Sequence, residues 1–290
     1  MSQIIEKLPA ATHMGAVTLA VSDLERSVGY YTEIIGLRVL EQTGDSAVLG
    51  AGQTPLLRLQ ALPDARRQPS RTTGLYHVAI LLPSRADLGR VIINFSQRQY
   101  SLDGVADHLV SEALYLSDPD GNGLEIYRDR PRDEWVWDGE RVRMSTDPLD
   151  VEGIVASVPD PDQPFTGMPD GTVIGHVHLR VADVAQARAF YVDTLGFDPV
   201  AEWRGALFVS AGRYHHHLGL NTWQSAGAPP APADSVGLRE FVIVLPDEDS
   251  VQALVGRLSA NGIPHEQAGD GLVFDDPFSN RVRVVIEGAA

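Results

Sequence analysis

The sequence predicts an α+β fold in which four β-α-β-β-β modules form two cupped sheets, and three observations carry this expectation. Residues 15–40 (GAVTLAVSDLERSVGYYTEIIGLRVL) align without a gap on residues 175–200 (GHVHLRVADVAQARAFYVDTLGFDPV), an internal repeat at an offset of 160. A second pair follows, GLYHVAILLP from Gly74 against GLREFVIVLP from Gly237, with DPDGNGLEIY from Asp118 against DPFSNRVRVV from Asp276. Within each half the two segments also resemble each other: a β-rich strand, a helix opened by Ser or Asp, then further strands.

The elements follow in order. Module one, near residues 15–62, places Leu24, Val28, Tyr31 and Ile35 at helical spacing and closes on Gly36, where a left-handed C-cap residue is expected. Module two, near 74–128, repeats the pattern with Leu88, Val91, Ile92 and Phe95, and its LYLSDPDGNGLEIY segment reads as strand, turn, strand. Tyr115 and Glu125 then face each other across a hairpin. Module three, near 173–224, has Val184, Ala187, Tyr191 and Leu195 followed by Gly196; module four, near 237–287, has Val251, Leu254, Val255 and Leu258. The division expected is an N-terminal domain over 1–128, a linker over 129–172 and a C-terminal domain over 173–290. The linker, rich in Pro, Gly and Asp, is expected to wrap the surface and shows no chemical motif; nor does SAGAPPAPADS between modules three and four.

Composition bounds the function. A length of 290 residues suggests about two domains. Apolar residues at 43% and charged residues at 21% are those of a folded globular chain. The net charge of −16 argues against nucleic acid and anionic membrane surfaces as partners. With no signal-like N-terminus and no apolar run long enough to span a bilayer, the expected setting is cytoplasmic. There is no cysteine, so any metal must be held by nitrogen and oxygen ligands.

Duplication explains the apolar positions, so polar residues present in one copy and missing from its partner are the informative ones. His77 corresponds to Glu240, Glu125 to Arg283, His176 to Ala16 and His216 to Leu56. Modules two and three thus carry the whole set. Two imidazoles and one carboxylate on rigid strands can bind one face of a divalent iron and leave positions open for substrate and oxygen, as in non-haem Fe(II) oxygenases. Strand alternation puts His176 and His178 on the same face and so does not choose between them; read as a strand, the His215–His217 run turns His216 to the face opposite its neighbours.

His108 to Glu125, HLVSEALYLSDPDGNGLE, resembles the signature of the two-domain extradiol ring-cleavage dioxygenases of the vicinal oxygen chelate superfamily, close to the catechol 2,3-dioxygenases: a His, an aliphatic-Tyr pair, an acid-Pro turn, a Gly and a closing Glu. The resemblance covers nearly the whole chain. It implies His77, Glu125 and His176, the last within the pair Gly175-His176, as ligands of Fe(II), with Mn(II) as the alternative. It implies His216 as the acid-base residue, with His108 and Tyr115 assisting. In the best-known members the active set lies in modules three and four; here it is divided between modules two and three. Those two are therefore expected to build one cupped sheet, with modules one and four making a second, metal-free one, or else the site forms across a homodimer.

The implied activity is O2-dependent cleavage of a catechol beside its hydroxylated carbons. A glyoxalase-like metal-dependent isomerase or lyase is the alternative, although no second acid is found in module three, where Asn221 ends the His-rich segment. A third reading is a non-catalytic small-molecule-binding protein, for which the three ligands would be superfluous. A homo-oligomer is expected, because open cupped sheets leave edges to cover.

Overall fold

A computed structural model describes residues 6–288. Module one comprises β1 (His13–Val21), α1 (Leu24–Gly29), β2 (Arg38–Gln42), β3 (Ser46–Ala51) and β4 (Thr54–Ala61). Module two comprises β5 (Gly74–Leu82), α2 (Arg85–Gln97), β6 (Gly104–Asp107), β7 (Ser111–Ser117) and β8 (Gly123–Asp129). The connecting segment holds a short hairpin, β9 (Trp137–Asp138) and β10 (Arg141–Val142), and a helix, α3 (Val151–Ala156). Module three follows as β11 (Val173–Arg180), α4 (Val184–Tyr191), β12 (Asp198–Trp203), β13 (Ala206–Ser210) and β14 (Leu218–Asn221). Module four is β15 (Gly237–Leu245), α5 (Glu248–Ala260), β16 (His265–Ala268), β17 (Gly271–Asp275) and β18 (Arg281–Ile286).

The four module helices begin as the Ser/Asp pattern requires. Asp23, Ser84, Asp183 and Asp247 each lie in extended backbone and accept a hydrogen bond from the amide three residues on, which contributes about 1 kcal/mol per cap. Gly36 and Gly196 close their helical segments at φ of 90° and 93°, values that L side chains rarely adopt. The first helix differs from the expectation of a plain α-helix: after Gly29 it widens into a π-helical turn over Tyr30–Ile35, which still buries Tyr31 and Ile35. In module three the helix ends at Tyr191, so Leu195 reaches the core from a turn.

Two eight-stranded sheets result, in the orders β16-β17-β18-β15-β1-β4-β3-β2 and β12-β13-β14-β11-β5-β8-β7-β6. Modules one and four therefore share one sheet, and modules two and three share the other within a single chain. The pairings β1 with β15 and β11 with β5 are both antiparallel and sit at the sheet centres. Helix residues such as Leu88, Phe95, Leu254 and Leu258 join strand residues from both sheets in one large apolar core. Equivalent contacts lock the modules pairwise: the Tyr31 hydroxyl donates to Asp118 at 3.0 Å, and the Tyr191 hydroxyl donates to Asp276 at 2.7 Å. No helix among the described residues is long and apolar enough to cross a membrane.

Candidate metal centre and its cavity

The row of strands β11-β5-β8-β7 places one chemical side chain after another across the sheet. His178 stands opposite His77, Ala79 opposite Glu125, and Glu125 opposite Tyr115, as the hairpin reading expects. Register shifts on β11–β5 flank the pair of histidines, between Ile174 and His176 and beyond His178. Such bulges re-aim side chains next to a site. The Gly-His pair has a steric reason as well. A Cβ on Gly175 would lie 1.8 Å from the Tyr127 hydroxyl, which is hydrogen-bonded to the Tyr214 hydroxyl at 2.8 Å.

Three ligand atoms converge. Glu125 Oε2 lies 2.9 Å from His77 Nε2 and 3.1 Å from His176 Nε2, and the two imidazole nitrogens are 3.3 Å apart. Ligands at right angles about 2.1 Å from a shared ion stand about 3.0 Å from one another, so the spacing fits one face of an octahedral cation. All three side chains are buried. Burial would raise the Glu125 carboxyl, but the charge and hydrogen bonds of His176 and His77 outweigh it and hold the group well below its usual range. His176 is lowered to about 4, chiefly by burial and against the pull of Glu125, which leaves a neutral imidazole able to give a lone pair. An ionised carboxylate beside two imidazole nitrogens forms an electron-rich pocket suited to a divalent cation.

His178 shares the face of His176 and comes as close to His77, with ring centroids 4.9 Å apart, yet its Nε2 is committed elsewhere. It accepts from the Asn221 amide at 3.0 Å, and that amide is oriented because Asn221 Oδ1 accepts from the Trp223 backbone N–H.

Tyr115 and His108 form a second polar unit on the cavity wall. The Ser145 carbonyl can only accept, so His108 donates to it from Nδ1 at 2.6 Å and presents Nε2 to the Tyr115 hydroxyl, also at 2.6 Å. Burial, and then the Glu125 charge, raise the Tyr115 phenol well above its ordinary value and keep it protonated.

The histidine run corrects a sequence expectation. Residues 211–217 are loop rather than strand; β14 begins only at Leu218, with Gly212 and Arg213 at positive φ. None of the three histidines is exposed. His216 lines the cavity and packs on His176, ring centroids 4.1 Å apart, while His217 accepts from the Ala211 amide. His215 donates from Nε2 to Asp129 at 2.8 Å and meets His216 through the Nδ1 atoms at 2.8 Å. In the tautomer that the Asp129 contact selects, His215 Nδ1 accepts from His216 Nδ1–H, and His216 presents a lone pair at Nε2.

The connecting segment also departs from expectation: Ser145 supplies its carbonyl to His108, Met144 and Thr146 line the cavity, and the Trp135 ring packs edge-on against His215 at 5.2 Å. Ser145 acts through its backbone and has no side-chain signature, and Asp129 sits on the last residue of β8 where sequence gives no reason to look. The cavity is ≈ 740 Å³ and holds His77, His108, Tyr115, Glu125, His176 and His216 on its wall.

In the other sheet the equivalent positions are closed. Glu240 and Arg283, the counterparts of His77 and Glu125, pair with each other at 2.8 Å, and Leu56 stands where His216 does.

Residues 13–126 and 173–284 each match the model of the Glyoxalase/Bleomycin resistance protein/Dioxygenase superfamily. The chain belongs to this superfamily. It is 44% identical to the Catechol-2,3-dioxygenase of Bacillus subtilis (strain 168), a match covering 92% of this chain and 95% of that protein. Among solved structures, a Bacillus subtilis protein of 13% identity matches with a TM-score of 0.64 over 98% of this chain and 87% of its own. Glyoxalase I from Zea mays, 18% identical, matches with a TM-score of 0.57 over 96% of this chain and 94% of its own. At these identities the structural likenesses establish the superfamily's fold alone.

Proposed function

We propose that the protein is an extradiol ring-cleaving dioxygenase that opens catechol or a substituted catechol with O2 at a non-haem Fe(II) site, with Mn(II) as the alternative ion. The observation that carries this reading is the convergence of His77 Nε2, His176 Nε2 and Glu125 Oε2 within 3.3 Å at the wall of a cavity, in a chain 44% identical to a catechol-2,3-dioxygenase. A divalent iron held by these three residues would supply the redox chemistry that lets spin-paired catechol react with triplet O2, a step the two do not readily take on their own. Both oxygen atoms enter the product, a ring-opened muconic semialdehyde.

The remaining residues handle protons. His216 is neutral, since burial and neighbouring imidazoles hold it well below its ordinary range, and its Nε2 can take a proton from a catechol hydroxyl and return it. Tyr115, kept protonated, donates to His108 Nε2 and offers its oxygen to a catechol hydroxyl, so a proton leaving the substrate can pass through Tyr115 to His108 and return by the same route. The same reading sets the protein in the cytoplasm, and in a homo-oligomer that covers the edge strands β2, β6, β12 and β16.

A glyoxalase-like reaction would call for a second carboxylate, and among the described residues the metal-ligating group consists of His77, Glu125 and His176. The test is to load the purified protein with Fe(II) anaerobically, add catechol and admit air. O2 consumption with a yellow product is expected. No O2 uptake across several catechols, or turnover of a glutathione hemithioacetal without O2, would reject the proposal.

A further inference from the structure

The comparison between repeats that separates the ligands from their counterparts also separates Arg180, whose equivalent in module one is Ala20. Arg180 lies four residues beyond His176 on β11, on the same face, about 13 Å further along the strand. It lines the cavity, as does Arg67. Neither forms an ion pair among the described residues. Arg180 makes a single long contact, from Nη1 to the Ser70 carbonyl at 3.5 Å, and its Nε is buried with no hydrogen-bond partner.

The acids on the same wall are all engaged. Glu125 faces His77 and His176; Asp120 accepts from Ser22 and Arg26; Asp103 accepts from Ser117. The Arg180 guanidinium is thus a half-buried cation on the cavity wall with no carboxylate partner, in a protein of net charge −16. A planar guanidinium is suited to a carboxylate.

Resting on the ring-cleavage reading, we propose that the substrate is a catechol whose ring substituent ends in a carboxylate, and that Arg180 receives that carboxylate at the end of the cavity away from the metal ligands. Arg180 is then a residue that sets specificity and takes no part in ring opening.

The pair 3,4-dihydroxyphenylacetate and 3,4-dihydroxyphenylacetamide differs in charge and hardly in shape. With the Fe(II)-loaded full chain, kcat/KM for the acid should exceed that for the amide by about tenfold or more, as a charge-assisted contact allows. Arg180→Gln should bring the two within about twofold by slowing the acid alone, and Arg180→Lys should keep part of the preference. Equal rates on both compounds in the wild type, a preference that survives Arg180→Gln, or an equal loss on both compounds would overturn the proposal. If catechol is cleaved and neither compound is, the carboxylate proposal falls; if catechol is not cleaved either, the ring-cleavage reading falls, and anaerobic quenching of tryptophan fluorescence, to which Trp223 and Trp203 on the cavity wall contribute, decides the carboxylate site by the same acid-to-amide comparison.

Discussion

Asp129 accepts a hydrogen bond from His215 Nε2 at 2.8 Å, and this contact orients a row of imidazoles that ends at the cavity. The carboxylate can only accept, so it fixes a proton on His215 Nε2 and selects the tautomer whose Nδ1 accepts from His216. Asp129→Asn can offer its amide N–H instead, which favours the opposite tautomer along the row. Activity on catechol should fall on the order of tenfold to a hundredfold, the range typical of partners that orient a site from outside it, with bound metal unchanged. Activity equal to wild type would show that His216 does not depend on the row.

The internal repeat makes much of this arrangement legible in the sequence. Ala16 against His176 and Leu56 against His216 mark positions where core packing asks for nothing polar. Glu240 and Arg283 explain why the opposite sheet is also polar at those places: they neutralise each other at 2.8 Å. What sequence could not show is equally specific. The Ser145 carbonyl has no residue signature, the π-helical turn after Gly29 keeps the apolar spacing of an α-helix, and the His215–His217 loop looks like strand because it runs straight into the alternating Leu218 and Leu220 of β14. The choice of His176 over His178 rests on Asn221, forty-three residues further on, which occupies the His178 nitrogen.

The ligand set predicts how the protein responds to metal. His77→Ala, His176→Ala and Glu125→Gln should each lower bound metal and activity at least about a hundredfold, since even outer partners of such sites cost ten- to a hundredfold. One divalent ion per chain is expected in the parent protein by elemental analysis. Because the ion binds the folded state, a concentration of 100 times its Kd adds about 2.7 kcal/mol of stability, so chelation should lower the melting temperature and re-addition restore it. A melting temperature indifferent to chelator would count against a metal at these three residues.

The Tyr115 hydroxyl, 2.6 Å from His108 Nε2, separates chemistry from packing. Tyr115→Phe removes one hydrogen bond at a partly buried position, a loss of about 1 kcal/mol of stability. Its effect on kcat should be larger, on the order of tenfold to a hundredfold, because a general acid-base contact is lost. Metal content should stay at the parental value. Denaturant unfolding beside steady-state kinetics reads both numbers, and a change confined to stability would assign Tyr115 to packing alone.

Gly175 tests the steric basis of the Gly-His pair. Its missing Cβ would lie 1.8 Å from the Tyr127 hydroxyl, and Tyr127 is fully buried, so neither the ring nor the strand can move aside cheaply. Gly175→Ala should therefore destabilise by about 1–3 kcal/mol, the usual cost of overpacking, and shift His176 enough to weaken metal binding. Tyr127→Phe removes the clashing oxygen but leaves Tyr214 without its 2.8 Å partner, a loss of about 1 kcal/mol. Combined, the two substitutions should cost less than the sum of their separate effects, because the second relieves the first. Additive losses in a double-mutant cycle, measured by denaturant unfolding, would place the need for glycine in the backbone of β11 instead of in the Tyr127 contact.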